Sequence, residues 1–194
     1  MKRVFFLLIA VLTVSYAHAQ VSIGVRAGLN LTNLYSDDDY ATFKPGFQAG
    51  VVADFAFHDN FSLQPGLQFS QMGAQSKEDG DVSRVTLNYI QLPVNFQAKF
   101  GDFFVQAGPY LGYGVNVNLS YKSEGIKAST SKSFKDFGVK PLDVGFGGGI
   151  GYQFGPIQAA LNTQYSLISI NDNDSNYTIK NLGLALTATY FFGK

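Results

Sequence analysis

Catalysis and metal binding need particular side chains, and this chain of 194 residues holds few of them: it has no Cys and only two His. Without Cys there is no thiolate nucleophile, no thiolate metal site and no disulfide framework. His18 falls in a leader expected to be removed, which leaves His58, in an H-D-N turn with no Ser at an informative spacing. A nucleophile–base–carboxylate triad and a zinc site are therefore both unsupported, and His58 reads as a solvated turn residue. The G-F-G-G-G-I-G stretch at 145–151 fits neither G-x-G-x-x-G nor a strand-to-helix junction, so strand packing is the better account of it. D-N-D-S-N at 172–176 begins like a calcium loop, but Tyr177 stands where Gly is required and Gly183 where Glu is required. Weak divalent-cation binding there, or at Asp37, Asp38 and Asp39, is the minor reading; solvated loop tips are the major one. We assign no catalytic residue, cofactor or metal ligand and expect a protein that is not an enzyme.

Composition says more than motifs. The chain is 46% hydrophobic, 15% aromatic and only 14% charged, with 21 Gly. Soluble globular proteins carry about a quarter charged residues, so an ordinary water-facing surface is disfavoured. Disorder is excluded by the hydrophobicity and by balanced charges, 14 Lys+Arg against 14 Asp+Glu. Zero net charge also argues against nucleic acid, which demands a clustered cationic surplus.

The chain opens M-K-R, continues through an apolar run from Val4 to Val14, and reaches an A-x-A site at Ala17 and Ala19. This pattern predicts a secretory signal peptide over 1–19, cleaved before Gln20, with one domain over 20–194. The apolar run falls short of the roughly 20 residues of a membrane-spanning helix, and no later segment approaches one. If the chain enters a membrane, strands must carry it.

Period-2 patterning predicts eight of them: 21–31, 46–57, 62–71, 84–100, 102–120, 142–154, 157–170 and 178–192. In the fifth run the odd positions from Phe103 to Leu119 are apolar throughout, while Gln106, Gly108, Gly112, Gly114, Asn116 and Asn118 oppose them. The fourth run changes phase, with Val85, Leu87 and Tyr89 on odd positions and Leu92, Val94, Phe96 and Ala98 on even ones, which predicts a bulge near Ile90 to Pro93. Connections alternate between tight turns (58–60, 101–102, 155–156) and longer polar links (35–44, 76–83, 122–140, 171–176). That alternation predicts an all-β, eight-stranded antiparallel up-and-down transmembrane β-barrel with short periplasmic turns, longer extracellular loops and both termini periplasmic.

A soluble barrel would hide its apolar face; a membrane barrel turns it to lipid. The polar face here is Gly, Gln, Asn and Ser, with charges largely in loops, which suits a crowded interior. Phe55, Phe57, Phe100, Phe103, Tyr152, Phe154, Tyr190 and Phe192 cluster at the turn ends of their strands and predict an aromatic girdle. Inward charges need partners, and similar heights on adjacent strands predict an internal, structural Arg26–Asp54 ion pair with Lys99 as a third member.

The segments N-Y-I-Q-L-P-V-N-F-Q-A-K-F (88–100), A-G-P-Y-L-G-Y (107–113), D-F-G (136–138) and G-x-G-Y-Q-F (149–154) resemble the PorT-like outer-membrane β-barrel family of the Bacteroidetes type. The resemblance spans essentially the whole mature chain and implies an eight-stranded barrel in the outer membrane, but no single activity. The C-terminal L-A-L-T-A-T-Y-F-F-G-K is similar to the aromatic-ended last strand read by the barrel-insertion machinery, although Gly193 and Lys194 follow Phe192. The function expected is a small integral outer-membrane protein with a packed polar interior and a structural or interaction role in the envelope. Its rivals are an accessory barrel of a PorT-type secretion and gliding system, a minor small-solute channel, a lipid-modifying enzyme and a soluble ligand carrier. The partners expected are outer-membrane lipid, lipopolysaccharide phosphates at the Lys122–Lys140 loop, the insertion machinery and an envelope or secretion protein.

Overall fold

A computed structural model describes residues 20–35, 42–78, 81–123, 126–171 and 178–193. The expected leader, Asp37 to Asp39 and the 172–176 segment lie outside the described residues. Nine strands form: β1 (Gln20–Tyr35), β2 (Thr42–His58), β3 (Phe61–Glu78), β4 (Asp81–Phe100), β5 (Phe103–Ser123), β6 (Ile126–Lys132), β7 (Leu142–Phe154), β8 (Ile157–Ser166) and β9 (Lys180–Phe192). A one-turn 3-10 helix, Lys135–Phe137, separates β6 from β7.

Eight of these strands close a ring in the order β1-β2-β3-β4-β5-β7-β8-β9, with β9 returning antiparallel to β1. Closure leaves no strand edge within the ring, as a sheet in hydrocarbon requires. The tight turns fall where expected, and Gly101 and Gly155 adopt the left-handed conformation (φ 65° and 55°) that such turns ask of a residue without Cβ. β6 is an extra: it pairs only with the end of β5, above the level where β7 takes over that edge. The 122–140 link is thus half strand, not loop. The 76–83 link is likewise nearly all strand, because β3 runs to Glu78 and β4 resumes at Asp81.

The apolar faces point outward. Val21, Ile23, Val25, Leu29 and Leu31 on β1, and Val105, Leu111 and Val115 on β5, are exposed, whereas Arg26, Asn30, Gln106 and Gln158 are buried inside. On β4 the exposed apolar residues run from Ile90 to Phe100, close to the 9–11 residues needed to cross the hydrocarbon. β4 extends nine residues beyond this belt at the loop end.

Two expectations about phase are corrected. β4 has no bulge between Ile90 and Pro93; its odd residues face inward throughout, from Leu87 and Tyr89 to Gln91, Pro93 and Gln97. The register shift lies one step earlier and on the partner: Asn88 pairs with Asn116 and Tyr89 with Gly114, leaving Val115 as the extra residue of β5. Past that bulge β5 inverts, so Val117, expected on the outside, is 1% exposed within the barrel.

Candidate functional site: the barrel interior

The interior is layered along its axis. At the turn end, the rings of Phe104 and Phe191 are buried inside, where glycines make room for them. A Cβ on Gly151 would meet the Phe104 ring at 2.2 Å, and one on Gly24 would meet the Phe191 ring at 2.9 Å. Neither phenylalanine stood out in the sequence, because each sits on the otherwise polar parity of its strand.

Above them lies an amide and charge network from five strands. Arg26 on β1 donates through Nε to Thr189 Oγ1 (2.9 Å) and through Nη2 to Gln64 Oε1 (3.1 Å). The Gln64 Nε2 group in turn donates to Asp54 Oδ1 (3.1 Å) and Gln97 Oε1 (3.2 Å). Lys99 Nζ forms an ion pair with Asp54 Oδ2 at 3.5 Å. The three expected charges thus come together, but in a different order: Lys99 reaches Asp54 directly, and Arg26 reaches it through Gln64. Arg26 stands opposite Gly50 and Asp54 opposite Ser22, so the two charges are four residues apart in register and not at the similar heights expected, and the inward-facing Gln64 of β3 spans the gap.

Midway up, a polar chamber of about 50 Å³ is bounded by Arg26, Asn30, Gln48, Gln68, Gln106 and Asn162, among others. One side is opened by the glycine row of β7, including Gly147. Beyond it Asp143, fully buried, accepts from Ser166 Oγ (2.5 Å), Asn181 Nδ2 (2.9 Å) and Tyr110 Oη (3.3 Å). A serine beside a carboxylate is suggestive in isolation, but both side chains are at 0% exposure and lack a histidine or lysine among these contacts. Its role here is to anchor β5, β7, β8 and β9 to one another.

The next layer is apolar. Met72, Leu87, Tyr89, Val117, Phe134 and Ile170 form a closely packed septum across the barrel. Phe134 reaches in from the segment after β6 and stacks edge-on against Tyr89, with ring centres 5.3 Å apart. Leu34, Val85, Phe137, Val139 and Ile179 pack on its outer side. Above the septum two adjoining cavities, of about 220 and 660 Å³, share Leu34, Val85, Leu119 and Ile179 as walls. Together they make an apolar vestibule at the loop end. The expected packed polar interior is therefore correct only for the middle layers, between the Phe104 and Phe191 rings and the septum. The signal for the upper one was present in Val85, Leu87 and Tyr89, read as a change of phase when it is a change of what the inner face must meet.

The girdle residues all lie on the outer face near the turn end, with Phe55 and Tyr152 half-buried and the other six exposed. They touch in pairs: Phe103 with Tyr152 at 5.0 Å, Tyr152 with Phe154 at 4.6 Å, and Tyr190 with Phe192 at 5.3 Å. Phe61 and Phe96, not anticipated, extend the belt beside Phe57. His58 is exposed in its turn, where its Nδ1 accepts from the Asn60 amide at 3.2 Å. Among the described residues no three His, Cys, Asp or Glu side chains gather into a metal-sized group.

No curated protein sequence matches the chain. Solved structures do. Neisserial surface protein A (NspA) is 13% identical, with a TM-score of 0.56 over 89% of this chain and 99% of that one. Ail, the attachment invasion locus protein of Yersinia pestis, is 16% identical, with a TM-score of 0.51 over 89% and 99%. At these identities the likeness is one of fold. The model of the outer membrane protein beta-barrel domain matches residues 16–175, which takes in every strand but β9, and the chain belongs to that family of the bacterial outer membrane.

Proposed function

We propose that this protein is a sealed, non-enzymatic barrel of the PorT-like, Bacteroidetes type, with a structural or interaction role in the cell envelope. It reaches the outer membrane after cleavage of residues 1–19 and folds there through the insertion machinery. Its termini and tight turns face the periplasm, and its longer connections face outward to lipopolysaccharide and envelope proteins. The observation that carries the reading is the double closure of the lumen, by the Arg26–Gln64–Asp54 network below and the Met72–Tyr89–Phe134 septum above. A cylinder of about eight strands is narrow enough to be closed by its own side chains, and here they close it at these two levels. Planar-bilayer recording tests it: purified protein is expected to give no steady conductance in molar salt. Stable, salt-dependent steps would replace this reading with a channel.

A further inference from the structure

The polar chamber midway up the lumen is bounded by groups whose hydrogen bonds do not balance within the protein. Asn30, 3% exposed, spends its Nδ2 on Ser70 Oγ (3.2 Å) and on the Gln71 main-chain carbonyl (3.3 Å). A carbonyl can only accept, so the amide is fixed with Nδ2 towards Gln71, and its Oδ1 has no partner. Gln106, 6% exposed, is fixed by a longer chain of the same logic. The Thr187 hydroxyl donates to the Ala160 carbonyl (3.3 Å), so its oxygen accepts from Asn162 Nδ2 (3.0 Å). Asn162 Oδ1 then accepts from Gln106 Nε2, and Gln106 Oε1 is the unpartnered end.

Arg26 adds the opposite need. Its Nε and Nη2 donate to Thr189 and Gln64, whereas its Nη1 has no hydrogen-bond partner among the described residues. Arg26, Asn30 and Gln106 all border the same chamber, so unspent donors and two unspent acceptors meet around one space. Buried polar groups are seldom left in that condition. The set also selects what can satisfy it: carbonyl oxygens disfavour an anion and a guanidinium disfavours a cation. The occupant is therefore neutral, and it both accepts and donates. A space of about 50 Å³ has room for about three to five water molecules. Larger solutes are kept out by the septum above and by the Arg26–Gln64–Asp54 network with the Phe104 and Phe191 rings below.

We infer that the chamber is an internal hydration site, whose ordered waters accept from Arg26 Nη1 and donate to Asn30 Oδ1 and Gln106 Oε1. The cluster joins the Arg26–Gln64 network on the turn side to the Asn30–Ser70 pair beside Met72, so water is a structural component of the lumen. Slow exchange of these waters with bulk rests on the sealed reading of the barrel; their positions do not.

The test is high-resolution crystallography of the purified barrel grown in sodium bromide. Density within hydrogen-bonding distance of Arg26 Nη1, Asn30 Oδ1 and Gln106 Oε1, with no anomalous signal, is expected. An anomalous bromide peak on Arg26 would overturn the neutral occupant. Featureless density in the chamber, or the three atoms paired to protein groups instead, would overturn the site. Gln106→Met keeps the side-chain length and removes one acceptor. Crystals of that variant, in protein whose heat-dependent gel mobility shows it folded, should lose the density nearest position 106 and retain that on Arg26; unchanged density at both would contradict the bridging. Magnetic relaxation dispersion of water oxygen, recorded on the barrel in micelles, reads the exchange. Long-lived waters are expected, and their loss in Gln106→Met supports the same assignment. Fast exchange with the crystal density intact would keep the hydration site and overturn the seal.

Discussion

Asp54 is the residue on which the lower lumen turns, because it accepts from the Lys99 ammonium and from the Gln64 amide that also engages Arg26. Lys99 is partly exposed and can turn to water, but Arg26 is 8% exposed and cannot. Asp54→Ala should therefore destabilise the barrel by about 3 kcal/mol, the usual cost of stranding one member of a buried charge group, as a lower urea midpoint in lipid vesicles. At the loop end a different carboxylate behaves as a surface group. Hydrogen bonds from Ser123 and Tyr121 hold Asp81 below the ordinary carboxylate range. A carboxylate depressed in the folded state stabilises above its unfolded value of about 3.9 and loses that contribution as pH falls through the folded value. Ser123→Ala with Tyr121→Phe should raise the pH at which the Asp81 carboxyl titrates by NMR; an unchanged titration would show that these hydroxyls do not set it.

At the scale of the element, the informative strand is β4. Its inward residues are Gln97, Gln91, Tyr89, Leu87 and Val85 in order from turn to loop, one face with two chemistries. Alternation alone sees only that apolar residues change parity, and a bulge is the ordinary reason for that. β5 conceals the same transition differently: Val115 is an extra residue, so Val117 and Leu119 keep odd numbers while crossing to the inside. Strand number, tight turns and outward girdle were readable because each depends on local pattern. The septum was not, since Phe134 and Ile170 come from segments beyond the ring's alternation and meet Met72 and Leu87 only when it closes. Gly114 makes this assembly possible: a Cβ there would meet three Phe134 ring atoms at 2.4 to 2.7 Å. Gly114→Ala should cost about 1–3 kcal/mol by overpacking, and Phe134→Leu should recover part of the loss in the double variant. Simple additivity of the two losses in urea titration would show that the ring and the glycine are not coupled.

For the whole molecule, the two solvents on its outside explain the two characters of its inside. From Ile90 to Phe100 the outer face of β4 meets lipid and is apolar, and the inner face at that height carries Gln91, Asn95 and Gln97. Beyond Ile90 the outer positions turn polar, with Thr86 on β4 and Ser120 and Lys122 on β5, and the inner ones become Tyr89, Leu87, Val85 and Leu119. The strands thus pass from the arrangement of a membrane barrel to that of a water-soluble sheet without breaking the ring. Composition reflects the sum: a chain that must satisfy lipid outside and amides inside has few places for charge, hence 14%. The aromatic girdle fixes the lower boundary of the belt, and the polarity inversion fixes the upper one.

That inversion is most directly measured by site-directed spin labelling, which the absence of Cys makes clean. Leu92→Cys and Thr86→Cys, carried on the same outer face of β4 and labelled in lipid vesicles, are compared for collision with molecular oxygen and with a water-soluble nickel chelate. Oxygen should dominate at position 92 and the chelate at position 86. Labels that both favour oxygen, or both favour the chelate, would contradict the boundary and with it the layered lumen built upon it.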